Sequence, residues 1–259
     1  MSEPRQRSKP SLLRRAVRRG RRLGFDVLGA SPFGTITSVV TNEPVVALTF
    51  DDGPDERWTP QVLDVLDAYR AKATFFVIGA YVDAHPDVMR RTYAAGHALG
   101  NHTYLHPSFP LVSSAERRRE LRACATALAA YPQERRLFRP PYLDQDLRSR
   151  FDTWSLGYDV IACSLHATDW EDRDRDEMAH TLCSGAGPGD VIMLHDALRG
   201  EPSFPRTAMI EALDVFLRRR TDLRFVTVPE LLRAGRPRRK IWLRRPDVAR
   251  PAKVDEKNL

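Results

Sequence analysis

Two adjacent carboxylates close the segment Thr49-Phe50-Asp51-Asp52-Gly53-Pro54, directly after an apolar run. Like charges at the end of a buried strand resist joint ionisation, so such a pair calls for a cation or an arginine. The Gly-Pro pair ends the strand in a tight turn that can aim both carboxylates into one pocket despite strand alternation. Taken alone, the segment reads equally well as a plain Asp-Gly turn. His102-Thr103-Tyr104-Leu105-His106 sets two imidazoles at i and i+4. On a helical turn that spacing puts both rings on one face, within reach of one metal ion, although HxxxH alone also describes two surface histidines. One aspartate with two histidines would give three protein ligands and leave a position for water, the pattern of a catalytic rather than a structural zinc site.

Three further clusters follow strand-like runs. Arg139 stands before the rigid bend Pro140-Pro141-Tyr142, Asp169-Trp170 comes soon after Val160–Cys163, and His195-Asp196 follows Val191–Leu194 directly. The polar residues recur at the same end of successive strands. In α/β barrels that end carries the active site. His97, His85 and His180 read as packed or surface residues, and Met178, Met193 and Met209 as core filler.

The elements that must position these groups alternate. Short runs rich in β-branched and aromatic residues cover Val45–Phe50, Ala73–Ile78, Val160–Cys163, Val191–Leu194 and Arg224–Val228. Helical stretches cover Pro60–Arg70, Pro86–Ala95, Ala115–Ala130, Gln145–Leu156, Asp174–Cys183 and Arg206–Arg220. Pro60 suits a first helical position, and Gly96 and Gly157 follow helix ends. This alternation predicts parallel strands with helices outside, hence an α/β barrel or doubly wound sheet. A length of 259 residues suits one large core.

The net charge of +7 divides unevenly. Residues 1–24 hold nine basic side chains against one acidic, and residues 235–259 nine against three, so the body between them is net −7. The expected organisation is a basic N-terminal arm and connector (1–40), a catalytic domain (41–234) and a basic C-terminal tail (235–259). Leu12, Leu13, Val17 and Leu23 outline a weak amphipathic helix in the arm, suited to anionic lipid or polyphosphate, or else a solvated arm. Ile241, Trp242 and Leu243 are candidates to dock locally on the body. An acidic body without basic stripes interleaved with aromatics argues against nucleic-acid binding. Cys124, Cys163 and Cys183 form no CxxC and read as free thiols in a reducing compartment. With no run of about 18 apolar residues and no apolar signal core, the expected location is cytoplasmic, with peripheral membrane contact through the arm.

TFDDGP, NHTYLH, RPPY, DW and LHD, in this order, resemble the polysaccharide deacetylases of carbohydrate esterase family four, the NodB-homology domain. The resemblance covers about residues 40–232, and ATFFVIGAYV and GHALGNHTYLHP look especially like rhizobial chitooligosaccharide deacetylases. It implies a distorted (β/α)7-type barrel and metal-dependent hydrolysis of an N-acetyl group on an amino sugar. Asp52, His102 and His106 would hold a divalent metal, zinc first, with cobalt, nickel or manganese as alternatives. Asp51 would be the general base and His195 the acid that protonates the leaving amine. Arg139 would pair with Asp51, Asp169 would orient His195, and the backbone N–H of Tyr142 would hold the oxyanion. Pro141, Tyr142 and Trp170 would contact the sugar. Two departures stand out: His166 replaces the first Asp of the usual DxxDW, and Leu143 replaces the glycine usual after RPPY. The resemblance leaves room for a deacetylase or deformylase of a lipid-linked sugar, and for a catalytically weakened sugar-binding homologue.

Overall fold

The computed structural model describes Gly24, residues 27–201 and residues 203–244. The amphipathic helix expected around Leu12, Leu13, Val17 and Leu23 lies outside them, as does the tail beyond Arg244. Ten strands are present among the described residues: β1 (Thr35–Val40), β2 (Val45–Asp51), β3 (Thr74–Val77), β4 (Ala98–Asn101), β5 (Leu137–Phe138), β6 (Asp159–Val160), β7 (Leu165–His166), β8 (Val191–His195), β9 (Arg224–Val226) and β10 (Arg236–Lys240). The helices are α1 (Thr59–Ala68), α2 (Gly79–Ala84), α3 (Pro86–Ala94), α4 (Ser114–Ala127), α5 (Leu147–Ser155), α6 (Arg175–Gly185), α7 (Thr207–Arg219) and α8 (Val228–Arg233).

Seven parallel strands pair in the order β6-β5-β4-β3-β2-β8-β7, a curled and incompletely closed sheet of the distorted (β/α)7 type. β2 is the hub. Its first residues, Val45–Ala47, pair with β9, and its last, Thr49–Asp51, with β3 on one side while β8 runs along the other. Every residue of β2 is buried. Strand alternation therefore sorts its side chains between two cores. Val46, Leu48 and Phe50 join the helix-side core with Leu63 and Leu66 of α1 and Leu213 and Phe216 of α7. Val45 and Ala47 join the other core, with Ile36, Phe76, Leu137, Ile161 and Val191. Burial of each large apolar side chain contributes roughly 1.5–3 kcal/mol. The second parity continues through Thr49 to Asp51, so a carboxylate sits on the face otherwise filled by apolar residues.

β1 and β10 form a separate antiparallel pair, with Thr35 opposite Lys240 and Val40 opposite Arg236. β1 also reaches the main sheet, through a parallel bridge from Ile36 to Ile161 and an antiparallel one from Ser38 to Asp190. The expected strand Val160–Cys163 is regular only to Val160. Beyond it, the carbonyls of Ile161 and Ala162 accept hydrogen bonds from the Arg139 guanidinium rather than from a neighbouring strand. The helix expected from Gln145 starts at Leu147 because Asp146 caps it in a reciprocal capping box with Ser149, while the Gln145 backbone pairs with Arg244. Gly96 and Gly157 take φ of 79° and 78° just past α3 and α5, a conformation glycine adopts without steric cost. All three cysteines are free, and burial pushes the Cys124 thiol up to about 12.

Candidate metal centre and active site

The groups singled out in the sequence converge on a cavity of about 260 Å³ whose walls include Asp51, Asp52, His102, His106, Tyr142, Trp170 and His195. Continued alternation would send Asp52 to the helix side of β2. Its φ of 73° breaks the strand and turns its carboxylate back into the cavity beside Asp51. Gly53 makes room for this turn, because a Cβ there would overlap the Asp196 carboxyl.

His102 and His106 do not lie on the helical turn that their spacing suggested. β4 ends at Asn101, and the chain passes through a loop in which Thr103 and His106 adopt φ of 71° and 67°. The loop is held from within. Asn101 Oδ1 accepts from the Thr103 N–H, Thr103 Oγ1 from the His106 N–H, and Glu120 Oε2 from the N–H groups of Tyr104 and Leu105. These bonds replace the helical ladder and still bring the two rings together.

His102 Nδ1 lies 2.8 Å from the carbonyl oxygen of Arg139, which can only accept, so Nδ1 carries the proton and Nε2 presents a lone pair. That Nε2 is 3.2 Å from Asp52 Oδ1 and 3.2 Å from His106 Nε2, which is itself 3.1 Å from the same carboxylate oxygen. His106 Nδ1 is buried with no hydrogen-bond partner among the described residues. While the rings are neutral, three acceptor atoms meet at one point with at most one proton between them. A divalent cation satisfies that arrangement, and one carboxylate with two imidazoles is a zinc-type donor set. Burial would raise the Asp52 carboxyl, but its close contacts with His106 and His102 hold it well below the usual carboxylate range. The Arg199 backbone N–H, 2.9 Å from Asp52 Oδ2, fixes the other oxygen.

Arg139 is fully buried, with its guanidinium 4.2 Å from the Phe76 ring centre. Its Nη1 donates to Asp51 Oδ1 at 2.6 Å and to Thr49 Oγ1 at 2.8 Å. It thus anchors the base of the cavity through β2 and the chain after β6.

Across the cavity, His195 ends β8 and places Nδ1 3.1 Å from Asp169 Oδ1, while its backbone N–H donates to Asp169 Oδ2. Burial would lower the His195 pKa, but the charge and hydrogen bond of Asp169 raise it to about 9. Arg206, also buried, pairs with the Asp169 carboxylate and donates to the carbonyls of Asp169 and His195. Trp170, 37% exposed, sets its ring edge-on to His195 and against His166, so the His166 departure touches the His195 side of the cavity.

Tyr142 and Leu143 both take left-handed conformations, at φ of 58° and 56°. Leu143 thus occupies a backbone position that glycine would hold without strain. The Tyr142 ring packs on His106 at 4.6 Å between centroids. Pro141 is buried and is not among the residues lining the cavity. The turn is held by the C-terminal segment: Trp242 Nε1 donates to the Leu143 carbonyl at 3.1 Å, and Gln145 and Arg244 exchange backbone hydrogen bonds. Arg244 and Arg199 also line the cavity.

Sequence reasoning missed Arg206, Glu120, Arg199 and Arg244. Arg206 read as the first residue of a helix, and no local periodicity marks it as a partner of Asp169. Ile241, Trp242 and Leu243, apolar residues in a basic tail, were the signal for the C-terminal strap.

Residues 38–161 match the family model described as polysaccharide deacetylase. A peptidoglycan-N-acetylglucosamine deacetylase of Bacillus cereus is 35% identical over 210 residues, covering 78% of this chain and 95% of that protein. A chitooligosaccharide deacetylase of Sinorhizobium fredii is 33% identical, covering 62% of this chain and 76% of that one. Among solved structures, a CE4 family pseudoenzyme from Bacillus anthracis superimposes with a TM-score of 0.68 at 25% identity, covering 78% of this chain and 69% of that chain. A mutant of that pseudoenzyme has restored enzymatic activity.

Proposed function

Because this chain belongs to the polysaccharide deacetylase family, we propose that it removes N-acetyl groups from an amino-sugar oligosaccharide or glycoconjugate of the chitooligosaccharide type. The observation that carries this is the convergence of Asp52, His102 and His106 on one point, in the wall of a cavity that Asp51 and His195 also line. We assign the ion as zinc, with cobalt, nickel or manganese as substitutes; when bound, it supplies Lewis acidity that polarises the amide carbonyl and makes its water more acidic.

The chain's own groups do the rest. Asp51, aimed by Arg139, takes a proton from the attacking water as its oxygen bonds to the acetyl carbon. The backbone N–H of Tyr142 donates to the oxygen on which negative charge develops, a contribution of about 10²–10³-fold for such donors. His195, protonated through Asp169, gives its proton to the amine nitrogen as the C–N bond breaks, leaving acetate and a free amino sugar. A positioned acid or base typically contributes about 10²–10⁴-fold. Trp170 forms a wall for the sugar ring.

A second reading, removal of acetyl or formyl from a lipid-linked sugar, is favoured by one feature, an exposed apolar face of α5, on which Arg148 is also exposed. A sugar-binding homologue without turnover is the remaining alternative. Acetate release from chitooligosaccharides of defined length and from peptidoglycan fragments, with chelator and after adding metal back, tests the proposal. Release that stops with chelator and returns with zinc is the expected result. Sugar binding without acetate release from any N-acetylated substrate at saturating metal would overturn it.

A further inference from the structure

Helix α5 is built inside out. Leu147, Phe151 and Trp154, at i, i+4 and i+7, lie on one face and are 42%, 52% and 46% exposed. The residues buried on the opposite side are Ser149, Arg150, Asp152 and Thr153. A helix on a globular surface ordinarily turns its apolar stripe inward. Here the inward polar side chains act as tethers. Arg150 donates to the carbonyls of Pro32 and Gly34, and Asp152 accepts from Arg117 and Ser114. The outward face is left apolar and aromatic, and Phe33 extends it by packing edge-on to Trp154 at 6.0 Å.

The N-terminal connector and β10 meet at this edge. Phe33 belongs to the turn that follows residues 1–24, with their nine basic side chains against one acidic. Arg239 of β10 donates to the carbonyl of Gly34 in the same turn. Gly29 approaches the backbone of Lys240 and Ile241 so closely that a Cβ there would clash. β10 itself exposes Arg236, Arg238 and Lys240, and Arg148 is exposed on α5. Segments more than 200 residues apart in sequence therefore enter and leave the fold side by side, next to an exposed Leu-Phe-Trp face.

We propose that this face, with Arg148 of α5 and the exposed basic residues of β10, forms a docking surface for an anionic lipid bilayer. The apolar residues enter the headgroup boundary while arginines and lysines engage the lipid charge. Either signal alone gives weak, reversible attachment, and the two together give stable attachment. The surface does not depend on the deacetylase reading, since none of these residues touches the cavity's acid–base groups.

The test is flotation of the 259-residue chain with vesicles of neutral lipid, or of neutral lipid mixed with an anionic phospholipid. Binding to the anionic vesicles only, weakened by added salt, is expected. The double substitution Phe151→Ser/Trp154→Ser should lower the partition coefficient about tenfold or more, with turnover of a soluble substrate unchanged. Arg148→Gln combined with Arg236→Gln and Arg238→Gln should lower it severalfold. Should the double variant fold poorly, hydrogen exchange of the unaltered chain decides: amides of 147–155 should slow on adding anionic vesicles. No flotation, flotation indifferent to the serine variant, or no change in exchange would overturn the proposal. So would a concentration-dependent dimer that the serine variant abolishes, which would make the face a contact between copies of this chain.

Discussion

On one side of the cavity Asp52, His102 and His106 turn three acceptor atoms toward one point. On the other, His195 rests against Asp169, and Asp169 against Arg206. The His195 side is balanced within the protein, since its one carboxylate meets an imidazole and a buried guanidinium. The triad side reaches balance only with a cation that the chain does not encode. Burial acts on both, yet it leaves His106 below the ordinary histidine value, while Asp169 carries His195 above it. Two sets of histidines a few residues from strand ends are thus prepared for opposite tasks, one as lone-pair donors and the other as a proton donor.

The comparison is broken most severely by removing one member of the triad. His102→Ala should lower metal affinity by more than the roughly 10–100-fold lost with an outer-shell partner, and abolish acetate release with it. Asp51→Asn should separate the two properties, leaving metal content unchanged while turnover falls about 10³-fold. Metal content after dialysis, measured beside acetate release, checks both. Near-normal turnover in Asp51→Asn would remove it as the base. Chelator should also lower the melting temperature of the unaltered chain, because a ligand held only by the folded state stabilises that state.

The His195 side is broken more gently, and its signature is a pH profile. His195 is raised to about 9, so the protonated form that an acid requires persists until pH climbs through that value. Asp169→Asn removes the nearest charge and the hydrogen bond that raise it, leaving burial, which lowers it, against the weaker pull of Asp52 and Asp51. The alkaline limb of kcat should therefore move to lower pH, and the pH optimum should narrow from that side. The linked stability has the same sign. A histidine raised in the fold contributes stability fully present below about pH 6.5 and lost as pH rises through about 9. Asp169→Asn should lose stability at every pH, because it leaves Arg206 buried without its carboxylate, and should lose more below that window than above it, as thermal melts at pH 6 and pH 9.5 would show. An unmoved alkaline limb would assign that limb to another group.

How much of this was legible in sequence follows from what is local. The parallel α/β alternation, the helices and the strand-end groups were readable because period and motif are properties of short segments. The loop that carries His102 and His106 was not, since its shape comes from Thr103 and His106 in left-handed conformations and from Glu120 on α4, none of which HxxxH spacing encodes. β10, written Arg-Pro-Arg-Arg-Lys, carries no apolar alternation and becomes a strand only through pairing with β1. Arg206 was invisible for the same reason: its partners are 11 and 37 positions away. Chemistry could be read from residue types, whereas the charge partners that tune it came from tertiary contact.

The smallest expected effect concerns how the Tyr142 turn keeps its shape. Tyr142 and Leu143 each pay the steric cost of left-handed backbone, roughly 1–2 kcal/mol for a residue with a Cβ. What offsets it is visible: Leu143 packs with Ala162, Cys163 and Met193, Trp242 lies against that cluster, and its indole N–H donates to the Leu143 carbonyl. Trp242→Ala removes both the packing and the hydrogen bond, and should lower kcat about tenfold with KM and metal content little changed. Trp242→Phe keeps a ring and loses only the donor, a bond worth about 1 kcal/mol, so its loss of kcat should be smaller. Leu143→Gly supplies the residue that takes a φ of 56° freely, and in the Trp242→Ala background it should recover part of the lost kcat. If the double variant is no faster than Trp242→Ala alone, the C-terminal segment does not act through the backbone of this turn.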